Sequence, residues 1–196
     1  KSLENEATGE IILAIPFVKL HGAGNDYIAI DGRECKRDWG ELALRMCAQH
    51  FGVGSDGIVV VLPSEQAAVK MRIFNPDGSE AEMSGNGVRL FAKFVLDREI
   101  ATAGSEGLTV ETLAGIRMVT PNINNGVMTA GRVSIGKPVF VRNAIPIKPE
   151  VVSKSDQVVI IPLEIAGMSI EVICLSVGNP HAVALLDDSV DNFPLE

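Results

Sequence analysis

Residues 75–89 read NPDGSEAEMSGNGVR. Their types suit a loop that feeds a helix N-terminus and handles a small polar ligand. Pro76-Asp77-Gly78 is strong turn chemistry. Ser84-Gly85-Asn86-Gly87 then supplies a cap and small residues that leave the first backbone amides of a helix uncovered. Such amides, reinforced by the helix dipole, bind carboxylate or phosphate, and they would lower the pKa of a thiol set at the same mouth. The plainer alternative is a Ser N-cap followed by glycines for a sharp turn. The length of the loop and its two asparagines favour the ligand-binding reading. Two further Gly-Asn steps, at Asn25 and Asn179, repeat the theme. An Asn amide offers donor and acceptor without charge, which suits a zwitterionic amino acid. A single such turn would need only the left-handed tolerance of Asn. Three, counting Asn86, point to a shared site. His181, just after Asn179-Pro180, could deprotonate or orient a catalytic group, or be a structural loop histidine; the residues alone leave both open. His21 and His50 are expected to be structural.

The elements that must position these residues are strand-rich. Residues 1–9 read as a frayed tail. Strands are expected over Ile11–Leu20 and Tyr27–Asp31, joined by the turn at His21–Asp26. Asp38 can cap a helix from Trp39 to about His50, with Leu42, Met46 and Cys47 on its core face. Ile58–Leu62 and Val69–Phe74 read as strands, and Gly85–Arg98 as a second helix with a wide apolar face. Leu108–Leu113, Ile116–Thr120 and Val127–Ile135 read as consecutive strands. Residues 136–156 carry Pro138, Pro146 and Pro149 with little pattern and are expected as a connection. Val158–Pro162, Ser169–Ser176 and Ala182–Leu186 complete the strands. Strands and helices do not alternate, so the class is α+β rather than a doubly wound parallel sheet. Gly52, Gly54 and Gly57 match a dinucleotide-binding spacing. A helix precedes them and a strand follows, the reverse of what that motif requires, so NAD binding is rejected.

Composition narrows the partners. Of 196 residues, 46% are hydrophobic, enough for a packed core, and the net charge is -8 with no basic block. Nucleic-acid binding is thereby disfavoured, because phosphates demand clustered Lys and Arg. No apolar run approaches membrane-spanning length, and the polar N-terminus is unlike a secretory signal. Three cysteines, Cys35, Cys47 and Cys174, lack metal-ligand spacing and suggest reduced thiols in a cytoplasmic protein.

The chain also hints at a repeat. VKLHGAGNDYIAID, Val18–Asp31, parallels ICLSVGNPHAVALLD, Ile173–Asp187. Each is a strand, a Gly-Asn turn, a second strand and an Asp. The counterpart of Ser84 in such a repeat would fall beyond Glu196, so the second half is expected to be incomplete.

FVKLHGAGNDYIAIDG, HFGVGSDGIVVV, MRIFNPDGSEAEMSGNGVRLFAKFV and SVGNPHAV together resemble diaminopimelate epimerases, in order and approximate spacing. The resemblance implies an epimerase without cofactor or metal, built of two pseudo-symmetric halves of strands wrapped around a central helix. In this chain the halves are residues 10–135 and the start of a second, 157–196. It implies interconversion of LL- and meso-diaminopimelate by two-base α-proton transfer, on the route to lysine and peptidoglycan, in a cytoplasmic homodimer. Asn25 and Asn75 would hold the substrate in register, Gly85 and Asn86 would bind the reacting carboxylate, and Asn179 would be a further ligand. His181 would help ionise an acid/base group. Ser84 stands where the family has its first catalytic cysteine. A hydroxyl is far less acidic than a thiol, whose ordinary pKa is about 8.5. Ser84 therefore keeps two alternatives in play: a dehydratase or isomerase of the same fold, of hydroxyproline type, and a catalytically silent amino-acid-binding homologue. The second catalytic cysteine of the family has no counterpart here, so this chain alone is expected to be inactive.

Overall fold

A computed structural model describes residues 2–4 and 11–189, apart from 149, 152, 154, 156, 166 and 188, together with residue 193. Its strands and helices divide between two units, Lys1–Ser134 and Ile135–Glu196. In the first unit, β1 (Ser2–Glu4) pairs antiparallel with β2 (Ile11–Leu13). The expected frayed tail is thus a strand at residues 2–4; the rest of it lies outside the described residues. The single strand expected over Ile11–Leu20 is also two. Pro16, which has no N–H to give a ladder, ends the first, and β3 (Phe17–Gly22) begins after it. Between them Ile15 turns inward to pack against the core.

The chain continues as β4 (Asn25–Asp31), α1 (Trp39–Met46), β5 (Ile58–Leu62), β6 (Val69–Phe74), β7 (Glu80–Ala81) and α2 (Gly85–Asp97). It then runs through β8 (Leu108–Thr112), β9 (Gly115–Asn124) and β10 (Val127–Val133). These strands form one sheet in the order β10-β9-β8-β6-β5-β4-β3, with β7 paired to β6. The β4–β5 and β6–β8 pairs are parallel and the others antiparallel. Every strand of that path contacts α2, so the sheet curls around this helix.

Strand periodicity explains the two-sided core. Tyr27, Ala29, Val59, Val61, Met71 and Ile73 face α2 and meet its Val88, Phe91 and Val95. Ile28, Ile30, Ile58 and Val60, one residue out of phase, face α1 and meet Trp39, Ala43 and Cys47. Strand β5 is apolar at successive positions because both of its faces are covered. Asp38 caps α1 as its sequence predicts, its side chain accepting the Glu41 N–H. The helix stops at Met46, short of His50, because the returning loop takes its last carbonyls: the amides of Val53 and Gly54 both donate to Met46 O, at 2.9 and 3.0 Å.

The far end of α2 grips the edge strand β10. Asp97 Oδ1 accepts the Met128 N–H at 2.8 Å, and Lys93 Nζ donates to the Met128 carbonyl at 2.7 Å while pairing with Asp97. The sheet register shifts beside this contact, between Met128 and Ala130.

The second unit holds a three-stranded antiparallel sheet of β11 (Val159–Ile165), β12 (Met168–Ser176) and β13 (Pro180–Ala184). Its core is Ile145, Val159, Val172 and Cys174. The stretch expected as a plain connection packs here instead, through Ile145 and through a bridge from Val139 to Ser176. No helix among the described residues is long and apolar enough to cross a membrane.

Candidate active site

Four segments of the first unit meet at one end of its sheet. There β4 and β5 begin, β6 ends and α2 starts. Gly22, cross-strand partner of Asn25, packs beside the first turn of α2: a Cβ on it would lie 3.6 Å from the Asn86 carbonyl oxygen. Gly57 comes so close to the end of β6 that a Cβ would lie 2.6 Å from the Phe74 carbonyl oxygen. These approaches bring the turn at 22–25, the loop at 54–57, the 75–79 turn and the mouth of α2 to one place.

Ser84 is the N-cap of α2. Its backbone is extended, and its Oγ accepts the Gly87 N–H at 3.0 Å. Tyr27, buried on the α2 face of β4, donates its hydroxyl to the same oxygen at 3.4 Å. Two donors therefore point at Ser84 Oγ, and its own hydrogen is directed elsewhere. The next two amides, of Gly85 and Asn86, have no intrahelical carbonyl to meet. Nothing lies within 4 Å of where a Gly85 Cβ would be, so the mouth is open there. Open amides at a helix N-terminus suit a carboxylate. Asn86 does not sit at a loop tip, as its Gly-Asn step suggests, but inside the first turn, where its Oδ1 accepts from Arg89.

The Asn75 loop is tied by its own side chains. Asn75 Nδ2 donates to Ser79 Oγ at 3.0 Å, its N–H to the Ser79 carbonyl at 2.8 Å, and Gly78 N–H returns to the Asn75 carbonyl at 2.9 Å. Ser79 in turn donates to Asp77, holding that carboxyl below its usual range. Arg72 clamps the returning strand with a two-pronged pair to Glu80, both contacts 2.7 Å. Gly40 lets α1 approach this turn: a Cβ on it would lie 2.7 Å from the Gly78 carbonyl oxygen.

Asn25 donates through Nδ2 to Asp56 Oδ2 at 2.8 Å, and the Asp26 N–H reaches the same oxygen at 2.9 Å. Those two donors lower the Asp56 pKa, the Asn25 amide contributing most. The Asp56 N–H donates back to the Asp26 carbonyl at 3.0 Å, and Lys19 pairs with Asp26 at 2.7 Å.

Asn179 and His181 belong to the second unit. Gly178, at φ 101°, turns the chain between β12 and β13, and the His181 ring nitrogen Nε2 lies 3.0 Å from Asn179 Oδ1. The structure thus gathers Asn25, Asn75, Ser84, Gly85 and Asn86 within one unit, and pairs Asn179 with His181 in the other. It adds Tyr27 and Asp56, which sequence reasoning passed over. Cys47 and Cys174 are buried, and burial raises the Cys47 pKa. Cys47 packs against Ile28, Ile58 and Trp39 in the core beneath α1, and so offers no thiolate at the mouth. Among the described residues no group of three or more His, Cys, Asp or Glu is placed to hold a metal ion.

A sheet curled around one helix, with polar loops gathered at that helix's N-terminus, places the chain in an α+β class of folds. A hydroxyproline epimerase from Agrobacterium vitis with bound trans-4-hydroxy-L-proline shares it. The match covers 86% of this chain and 50% of that one, at a TM-score of 0.62 and 13% identity. A probable proline racemase from Agrobacterium radiobacter K84 matches at a TM-score of 0.64 and 16% identity, over 87% and 52% of the two chains. Sequence comparison is more specific. The family model described as diaminopimelate epimerase matches residues 17–141. Proteins named diaminopimelate epimerase from Caldanaerobacter subterraneus subsp. tengcongensis and Moorella thermoacetica are 42% and 44% identical, over 92% and 88% of this chain. The chain belongs to the diaminopimelate epimerase family. It spans 63% and 60% of the length of those two relatives.

Proposed function

We propose that this chain carries one acid/base face and much of the substrate pocket of a diaminopimelate epimerase. The observation that carries the reading is the convergence of Asn25, Asn75 and the Ser84–Asn86 helix mouth, in a chain whose curated relatives bear that name. The amides of Gly85 and Asn86 take the reacting carboxylate, which also acidifies the neighbouring α-carbon by holding the charge that builds as its proton leaves. Asn25 and Asn75 set the rest of the molecule in register. Asn179 is a further substrate ligand, and His181, hydrogen-bonded to it, assists ionisation of an acid/base group. The same proposal includes a cytoplasmic homodimer.

Ser84 occupies the proton-transfer position. In an epimerase one group removes the α-proton and another returns one to the opposite face. Ser84 Oγ is well placed to carry a hydrogen outward, since Gly87 N–H and Tyr27 Oη–H already fill its acceptor side and would stabilise the oxygen once that hydrogen is given up. It is a poor base for the same reason. That observation favours a second reading, in which the protein binds the amino acid and turns it over slowly or not at all.

Two measurements on the whole protein test the proposal. LL- or meso-diaminopimelate at a hundredfold over its Kd should add about 2.7 kcal/mol of stability. Stabilisation by hydroxyproline alone would overturn the substrate assignment. In deuterium oxide, exchange of the substrate α-proton should be slow with Ser84 and should rise by orders of magnitude in Ser84→Cys. Equal rates would remove residue 84 from proton transfer.

A further inference from the structure

The structure assigns Asp56 a positioning role: it fixes the Asn25 amide so that Asn25 meets a ligand as a hydrogen-bond acceptor, selecting an ammonium group. The inference rests on the substrate reading above and adds a residue and a polarity to it.

An isolated Asn could turn either end of its amide toward a ligand. Asn25 is not isolated. A carboxylate can only accept, so the 2.8 Å contact to Asp56 Oδ2 obliges Asn25 to present Nδ2 there. Its Oδ1 then points away from Asp56. Asp56 is itself held and cannot follow a rotation of the amide. The Asp26 N–H binds the same Asp56 oxygen at 2.9 Å, and the Asp56 N–H is bound to Asp26 Oδ1 at 3.2 Å and to the Asp26 carbonyl at 3.0 Å. Lys19 anchors the far side, pairing with Asp26 at 2.7 Å and donating to the Gly54 carbonyl at 2.5 Å. The depressed pKa of Asp56 keeps the carboxylate charged at neutral pH, so the amide stays oriented. Asn25 lies at the tip of the β3–β4 hairpin, whose Gly22 touches the first turn of α2. The site therefore has a sense: donors at the helix mouth for a carboxylate, and an acceptor at Asn25 for an ammonium.

The test uses the whole protein with two probes, LL-diaminopimelate and 2-aminopimelate. The second has the same chain and both carboxylates but lacks one amine. Asp56→Asn keeps the shape at residue 56 and frees the Asn25 amide to turn. It should weaken LL-diaminopimelate about tenfold or more, measured as Kd by calorimetry, because a donor facing an ammonium forfeits a charged hydrogen bond. It should leave 2-aminopimelate within about twofold, a change too small to count as one lost hydrogen bond. In an Asn25→Ala background the same substitution should have no further effect on LL-diaminopimelate. Equal weakening of both probes, or a full effect persisting without Asn25, would overturn the inference and leave the substrate reading standing. Failure of the unsubstituted protein to bind LL-diaminopimelate would overturn that reading and this ligand assignment together. A ligand-free measurement covers the remaining case. One side-chain Hδ2 resonance of Asn25 should be shifted downfield and should lose that shift in Asp56→Ala; an unchanged resonance refutes the orientation outright.

Discussion

Replacing Ser84 by alanine removes one oxygen and two hydrogen bonds. The Gly87 N–H, 3.0 Å from Ser84 Oγ, loses its acceptor, and Gly87 is buried, so water replaces the contact poorly. Loss of a Ser cap ordinarily costs about 0.5–2 kcal/mol, and burial of the abandoned donor places this case in the upper half of that range. Tyr27, a residue only 6% exposed, also loses a partner for its hydroxyl; that 3.4 Å bond is long and adds only a few tenths. A total near 1.5–2 kcal/mol should lower Tm by roughly 3–8 °C in a domain of this size. Aspartate caps as well as serine does and should restore most of the loss. Cysteine, a weaker acceptor, should fall between serine and alanine in stability. In α-proton exchange it should rank first, because a thiol near a helix N-terminus ionises far more readily than a hydroxyl and, once ionised, is a stronger base than a carboxylate. Stability and activity thus order the same variants differently. Thermal melting and deuterium exchange on one set of proteins measure both. An alanine variant as stable as the parent would refute the cap, and identical exchange in Ser84, Cys and Ala variants would refute the chemistry.

Tyr27→Phe keeps the ring in the core and removes only the hydroxyl. It should cost under about 1 kcal/mol in denaturant melting while altering exchange at residue 84, whereas Tyr27→Ala should cost about 3–5 kcal/mol. Gly57→Ala should destabilise by about 1–3 kcal/mol, because its Cβ would meet the Phe74 carbonyl oxygen at 2.6 Å. Gly85→Ala, with nothing within 4 Å, should leave stability unchanged or slightly improved, yet weaken carboxylate binding by crowding the mouth. Asp56 is lowered from its ordinary value of 3.8, so its contribution to stability is present above that pH and is lost as pH falls through the depressed folded value. The slope of Tm against pH below about 4 should accordingly be shallower in Asp56→Asn.

Much of this fold could be read from local chemistry. Asp38 and Ser84 announced helix starts because capping is a local transaction between a side chain and an amide three residues on. The alternation in Val69–Phe74 and the continuous run at Ile58–Leu62 reported how many faces of each strand are covered. Helix α1 ended earlier than its periodicity suggested because the terminators are amides of residues 53 and 54, returned by a loop and invisible to pattern. The five candidate residues that the first unit brings together were conspicuous in sequence, because turn-forming Asn and Gly and small helix-start residues stand out locally. Tyr27 was not, since in a strand it reads as core, and its hydroxyl finds Ser84 only through the tertiary fold. Asp56 lay in a glycine-rich stretch read as a tight connection, and nothing local says that its carboxylate would face Asn25.

The grip of α2 on Met128 ties together two elements that would otherwise open separately. An edge strand ordinarily frays by itself and exchanges its amide hydrogens fast. The Met128 amide is bound by Asp97 in the last turn of the helix that every strand from β10 to β3 along the sheet path contacts. Its hydrogen should therefore exchange only when that helix end unwinds, with protection matching the α2 amides rather than those of neighbouring edge residues. The rim of the sheet and its central helix then form one cooperative unit, and a disturbance at one end of α2 is felt along the whole rod that carries Ser84 at the other.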